Sequence, residues 1–329
     1  MKKLLIFLFT ILHFSLSAND KPTVICTVSI LEDIAKNLVG NTVNLKMIVP
    51  IGGDPHLYEA TPRDAQLVRS GDLFFINGLN FEGWIKELIA NSGSNAPSVI
   101  VSNGVETIGS QTYKNSFDPH AWMNVKNVMI YAKNMKDALV EYFPEHKDIY
   151  VSEYEKYLAK LQELHAYVQA EINKIPEQQR ILVTSHDAFA YYGKEYGIDV
   201  EAILGISTEA DARTSDVMRV TNVIKEKNVP AIFIESTINP KMMKRLSEDN
   251  GVPVGGELFA DSLGEPGTEA GTYLGMIKSN TDVIVGALAQ NRISNTKLDD
   301  DKGSSKIGFI AVGVIFLLLL IFGIMKMKN

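Results

Sequence analysis

Residues 145–175, EHKDIYVSEYEKYLAKLQELHAYVQAEINKI, run without a glycine or a proline, and Pro144 and Pro176 bracket them. Nothing inside this stretch breaks a helix, and a proline at each side stops one from extending. Tyr150, Tyr154, Tyr157, Leu161, Leu164 and Val168 form one narrow apolar stripe among charged residues. Their spacing predicts a single helix roughly 45 Å long. The stripe lasts only a few heptads, so a connector laid along two domains fits it better than a coiled-coil arm.

The same alternation of strand and helix occurs on both sides of this connector. Before it, residues 23–30, 43–50, 72–77 and 98–102 read as short apolar strands. Helical patterns such as SILEDIAKNLVG and TPRDAQLVRSG separate them. In the second, Thr61, Pro62 and Asp64 supply a cap, a first-turn proline and an acidic third position. Residues 125–143 carry Val125, Val128, Met129, Ala132, Met135, Leu139 and Tyr142 at helical spacing, with Asn124 as the cap. After the connector, residues 180–185, 199–204, 231–237 and 252–260 read as strands, and 187–196, 213–227, 239–250 and 268–290 as helices. Such alternation predicts α/β architecture, with parallel sheets covered by helices on both faces. A chain of 329 residues, 46% of them hydrophobic, is large enough for two such domains, each with its own core.

Both ends address a membrane. MKKLLIFLFTILHFSLSA, residues 1–18, has two lysines, an apolar stretch and a small-residue ending. It reads as a secretory signal peptide cleaved after Ala18. Residues 307–325, IGFIAVGVIFLLLLIFGIM, carry no charge and are long enough to cross a bilayer as a helix. Lys326 and Lys328 follow it, which puts the tail in the cytoplasm and residues 19–306 outside. Residues 291–306, rich in Ser, Asn, Asp and Lys, form the linker. The single cysteine, Cys26, excludes an intrachain disulfide and reads as a small buried hydrophobe of the first strand. A net charge of −7 argues against a nucleic-acid partner.

Three of the six histidines stand apart. His13 lies in the signal peptide, His146 at a helix start, and His165 within the long helix. His56 and His186 each follow an apolar strand, and His120 precedes the 125–143 helix. In open α/β sheets, ligands bind beyond the carboxyl ends of strands. His56 and His120 share the form Asp-Pro-His, in which proline stiffens the approach to the imidazole. Asp54 and Asp118 are placed to accept from a metal-bound imidazole. Imidazoles with a carboxylate suit a borderline divalent cation such as zinc. Spacing alone leaves a set of unrelated loop histidines as the alternative, because no compact ligand motif is present.

Several stretches together resemble one family. GGDPHLYEATP (52–62), NGLNFEGWI (77–85), DPHAWMN (118–124), TSHDAFAYYGKEYGI (184–198), GISTEADARTSD (205–216), PAIFIESTINPK (230–241) and GGELFADSLGEPGTEAGTYLGM (255–276) occur in order. Over about residues 22–290 the chain resembles the metal-binding solute receptors of zinc/manganese ABC importers. The resemblance implies two (β/α) lobes with parallel sheets, joined by one long rigid helix, with the metal site in the cleft between them. The expected divisions are an N-terminal lobe at 19–144, the connecting helix at 145–175 and a C-terminal lobe at 176–290. It implies one ion held by His56 and His120 from the first lobe and by His186 and Asp261 from the second. Glu235 falls in the FIEST strand end and is expected to line the cleft.

The ion, Zn²⁺ or Mn²⁺, is then transported cargo, and the partner is the ABC permease that receives it. The chain departs from relatives in three respects. Many manganese receptors have Glu where His186 stands, which favours zinc here. Many dedicated zinc receptors carry a His-rich loop before the second histidine, and residues 106–117 hold no histidine. A C-terminal membrane helix is atypical of the family. The resemblance implies a monomeric binding protein, not an enzyme. An exported zinc hydrolase would need an open position for water, which a fourth protein ligand removes. A metal-stabilised adhesin is the other alternative, and no long repeat supports it.

Overall fold

Strand β1 (Thr23–Cys26) is buried on both faces. A computed structural model describes residues 21–109, 116–208 and 212–289. In it Val24 and Cys26 join one apolar cluster and Ile25 another. The same division runs through β3 (Leu73–Ile76), where Leu73 and Phe75 lie with Val24, and Phe74 and Ile76 with Ile25. Alternate residues of a strand face opposite ways, so a strand without polar alternation needs cover on both sides. With β2 (Asn44–Met47) and β4 (Ser98–Ile100) these strands form a parallel sheet of order β2-β1-β3-β4.

Helices supply the cover. Helix α1 (Ser29–Val39), α4 (Val125–Tyr142) and α5 (Lys147–Ile172) bury Leu31, Ile34, Val128, Met135 and Tyr157 with the first cluster. Helix α2 (Pro62–Arg69) and α3 (Ile85–Ser92) bury Val68, Ile85 and Leu88 with the second. Helix α2 starts as its sequence predicts. The Thr61 hydroxyl accepts from the Asp64 amide, and the Asp64 carboxylate takes the Thr61 amide at 2.7 Å. Helix α3 is not among the sequence expectations. It is short, has no side-chain cap, and ends at Gly93 in the left-handed region at φ 70°.

The C-terminal half repeats the plan with two parallel ladders. β5 (Ile181–Thr184) pairs with β6 (Asp199–Ala202), and β7 (Ile232–Glu235) with β8 (Val254–Leu258). β5 and β7 lie side by side. Helix α7 (Thr214–Lys227) and α8 (Lys241–Asn250) bury Val220, Ile224, Met243 and Leu246 against Ile181, Val183 and Ile232. Helix α6 (Ala190–Tyr196) and α9 (Tyr273–Leu288) pack with Leu182, Phe233 and Leu258 on the other side.

The two halves share α5. It packs against α1 and α4 of the first half and α6 and α9 of the second. Of the predicted stripe, Tyr150, Tyr157, Leu161, Leu164 and Val168 are buried in the core, and Tyr154 packs against it half-buried. The helix has 26 residues and is about 39 Å long. It is shorter than the expected 145–175 because Pro144–His146 form a 3-10 turn before it and the helix ends at Ile172, with Asn173 as its cap. Residues up to Ala289 cluster as one compact unit. The expected signal peptide (1–18), linker (291–306) and apolar segment (307–325) lie outside the described residues. Among the described residues no helix is long and apolar enough to cross a membrane.

Candidate metal centre

His56, His120, His186 and Asp261 come from four separate loops, yet a donor atom of each lies within 4.8 Å of the others. Strand ends deliver His186 and Asp261. His186 is two residues past β5, and Asp261 three past β8. His56 follows the Pro50–Gly53 turn beyond β2, in which Gly52 sits at φ 78° and the Gly53 amide bonds Pro50 O at 3.0 Å. His120 stands immediately before the 3-10 turn Ala121–Met123 that leads into α4.

The donors converge on one point. Asp261 lies 3.2 Å from His186 Nε2, 3.4 Å from His120 Nε2 and 3.7 Å from His56 Nε2. His56 Nε2 and His120 Nε2 are 3.2 Å apart. His120, His186 and Asp261 side chains are fully buried, and that of His56 keeps 6% exposure. Both Asp261 oxygens and His186 Nε2 are buried without a hydrogen-bond partner. Buried polar atoms are ordinarily satisfied, so orphans aimed at one point mark a place for a ligand. Three imidazoles and a carboxylate are the donor chemistry of a borderline divalent cation.

Carboxylates stand behind the donors. Asp118 Oδ1 takes the His120 amide at 2.9 Å and His120 Nδ1 at 2.7 Å. Glu235, at the end of β7, takes the His186 amide at 2.9 Å and makes an ion-pair contact of 2.6 Å with His186 Nδ1. Asp54 Oδ1 takes the His56 amide at 2.8 Å. These contacts turn the Nε2 atoms of His120 and His186 inward. Glu235 therefore has the lining place expected of it, and it specifically backs His186.

The charges shift one another. Burial pushes the Asp261 carboxyl up, but His186, His120 and His56 together outweigh it and hold it well below the usual carboxylate range. Burial lowers His56 to about 4, against the pull of Asp261. Burial also opposes charge on His186, yet Glu235 and Asp261 prevail and raise it well above the ordinary imidazole value. In the free site the His186 proton is thus the counter-charge to Asp261.

Packing fixes the loops. Phe81 meets the His56 ring edge-on at 5.0 Å, and Trp122 meets His120 at 5.3 Å. Trp122 Nε1 donates to Ala260 O at 2.9 Å, one residue before Asp261. Asn280 of α9 grips Phe259 by both its amide and its carbonyl, at 2.9 and 2.7 Å. The Gly52 amide donates to Ser262 Oγ at 2.8 Å, tying the His56 loop to the Asp261 loop. Beneath Phe81, buried Glu82 accepts from Thr27 Oγ1 and from the Asn77 and Gly78 amides at 2.6, 2.7 and 3.1 Å. It anchors a turn in which Gly78, Leu79 and Asn80 all have positive φ. Sequence reasoning missed Trp122, Ser262 and Glu82 as supports, although they lie in the DPHAWMN, GGELFADSLG and NGLNFEGWI stretches.

The other two histidines among the described residues lie elsewhere, and His13 falls outside those residues. His165 Nδ1 lies 3.2 Å from the Tyr196 hydroxyl, and His146 is partly exposed before α5. Cys26 is buried in β1.

The family model for the periplasmic component A of the zinc-uptake complex (ZnuA) matches residues 24–287. The chain belongs to this family. Among its relatives, the manganese-binding lipoprotein MntA of Halalkalibacterium halodurans is 38% identical over 267 residues, covering 81% of this chain and 88% of the relative. The manganese ABC transporter substrate-binding lipoprotein PsaA of Streptococcus pneumoniae is 36% identical over 282 residues, covering 83% and 91%. Among solved structures, the periplasmic zinc-binding protein TroA of Treponema pallidum superposes with a TM-score of 0.78 at 35% identity. That match covers 82% of this chain and all of TroA.

Proposed function

We propose that this chain is the exported receptor of a metal ABC importer, capturing one Zn²⁺ or Mn²⁺ ion and delivering it to a membrane permease. The observation that carries the reading is the convergence of donor atoms from His56, His120, His186 and Asp261, with His186 Nε2 and both Asp261 oxygens buried without a hydrogen-bond partner. Neutral imidazoles and one carboxylate replace most of the ion's water. Asp261 as a fourth protein donor leaves no position reserved for a reactive water, so no hydrolytic role is assigned. Imidazole-rich coordination favours zinc over manganese, as does the general order of divalent affinities.

In this reading residues 19–144 and 176–290 are two lobes, and α5 is the rigid helix between them. The buried seam along α5 favours slight rocking and loop movement over wide hinge closure. Residues 1–18 export the chain, and 307–325 tether it beside its permease, which raises the local receptor concentration. Several relatives are named lipoproteins. Here the only cysteine lies inside β1, paired to β2 and β3, so a processing cut in front of it would remove most of a central strand.

Elemental analysis and calorimetry of the purified chain test the site. Wild type should bind one ion, and His120→Ala and Asp261→Ala should lose tight binding. Normal binding by both variants, or none by wild type, overturns the assignment. Deleting residues 307–329 should release the protein from membranes, and retention would overturn the tether.

A further inference from the structure

The two Asp-Pro-His tripeptides, identical in sequence, are wired differently. At 118–120 the aspartate takes both the amide and the ring Nδ1 of its histidine, at 2.9 and 2.7 Å. At 54–56 the aspartate takes the amide at 2.8 Å through Oδ1. Whereas Asp118 serves amide and ring with Oδ1 alone and leaves Oδ2 without a partner, the Asp54 Oδ2 accepts from Thr208 Oγ1 at 2.7 Å, a residue of the opposite half of the chain, which fixes how that carboxylate is turned. The three imidazoles therefore differ. His120 has Asp118 behind its ring and His186 has Glu235. Among the described residues, no carboxylate bonds the far side of the His56 ring. His56 is also the donor farthest from Asp261, at 3.7 Å, and the one with an exposed edge.

We propose that Thr208 is a positioning residue that draws Asp54 away from the His56 ring and so makes His56 the yielding ligand, through which the ion enters and leaves. This inference rests on the proposed role of the four residues as the metal site. A carboxylate behind an imidazole fixes its tautomer and strengthens it as a donor, and losing such a partner typically costs about 10–100-fold in affinity. A receptor that must hand its cargo on needs one donor without that reinforcement. The 118–120 tripeptide demonstrates that Asp-Pro-His can close on its own ring. Thr208 keeps the 54–56 copy open.

Thr208→Val removes the hydroxyl at nearly constant volume and frees Asp54 to close on His56. Zinc release from the full-length protein into excess chelator, followed by stopped flow, should slow by about tenfold. Thr208→Ser, which keeps the hydroxyl, should release at the wild-type rate. A simple clasp between the halves predicts the opposite sign, because cutting it would loosen the site. Unchanged or faster release in Thr208→Val, or slowing in Thr208→Ser as well, overturns the proposal. A second readout is independent of zinc. In the metal-free protein, ring ¹⁵N spectra should show His56 moving to the Nδ1–H tautomer in Thr208→Val, and no change overturns the proposal. If wild type binds no zinc, the metal-site reading fails, and the His56 tautomer still decides the role of Thr208.

Discussion

Binding of the ion should expel the proton held by His186. That imidazole lies between two buried carboxylates, 2.6 Å from Glu235 and 3.2 Å from Asp261. Burial disfavours its charge, but the carboxylates outweigh burial and raise its proton affinity well above the ordinary value. At neutral pH the free site therefore carries a proton on the nitrogen that a cation needs. The sign follows from linkage. A raised histidine stabilises the metal-free fold fully below the unfolded value near 6.5, and loses that contribution as pH climbs through its folded value. The cation competes with this proton, so each rise of one pH unit should strengthen zinc binding about tenfold, or about 1.4 kcal/mol. His56 adds nothing to this slope between pH 6.5 and 7.5, because burial has lowered it to about 4 and it is already neutral. Calorimetry at pH 7 in two buffers of different ionisation enthalpy counts the protons released. At least about one proton per ion is expected from this competition. Glu235→Gln removes one of the two holding charges and should release fewer. No release at pH 7, with an affinity that is flat from pH 6.5 to 7.5, would refute the reasoning.

Other consequences follow from the supports of the site. Trp122→Phe deletes the 2.9 Å bond to Ala260 O and leaves that carbonyl unpaired, for about 1–3 kcal/mol of stability in denaturant melts and weaker zinc binding. Glu82→Gln puts an amide donor against one of three donors it now accepts from, and should lower the melting temperature by a few degrees, about 1–3 kcal/mol. At Gly78, φ is 83° and an added Cβ would meet Ile100 Cγ2 at 2.4 Å, so Gly78→Ala should destabilise by about 2 kcal/mol or more in the same assay. Zinc at about a thousandfold above its dissociation constant should add about 4 kcal/mol to wild type, seen as a higher melting temperature, and nothing comparable to Asp261→Ala.

The fold was legible because two periodicities repeat. Apolar strands buried on both faces and amphipathic helices alternate around a glycine-free connector, and β1, β3, α1, α4 and α5 appear where those patterns lie. Helix α3 was not, since its eight residues bury only Ile85, Leu88 and Ser92. His56 and His186 were visible by position, standing past strand ends. Asp261 was not, because one aspartate among 39 acidic residues has no local signature, and only the family resemblance picked it out. The supporting carboxylates divide the same way. Asp54 and Asp118 are two residues from their histidines, and a local motif can announce them. Glu235 reaches His186 from 49 residues away because β5 and β7 are neighbours, which no spacing encodes. The two Asp-Pro-His copies mark the limit of motif reading itself. Their sequences predict one geometry twice, and the difference between them comes from Thr208, 154 residues beyond Asp54 and across the site. A ligand motif therefore specifies which atoms are offered to an ion, whereas the partners that folding brings behind it set how firmly each one holds.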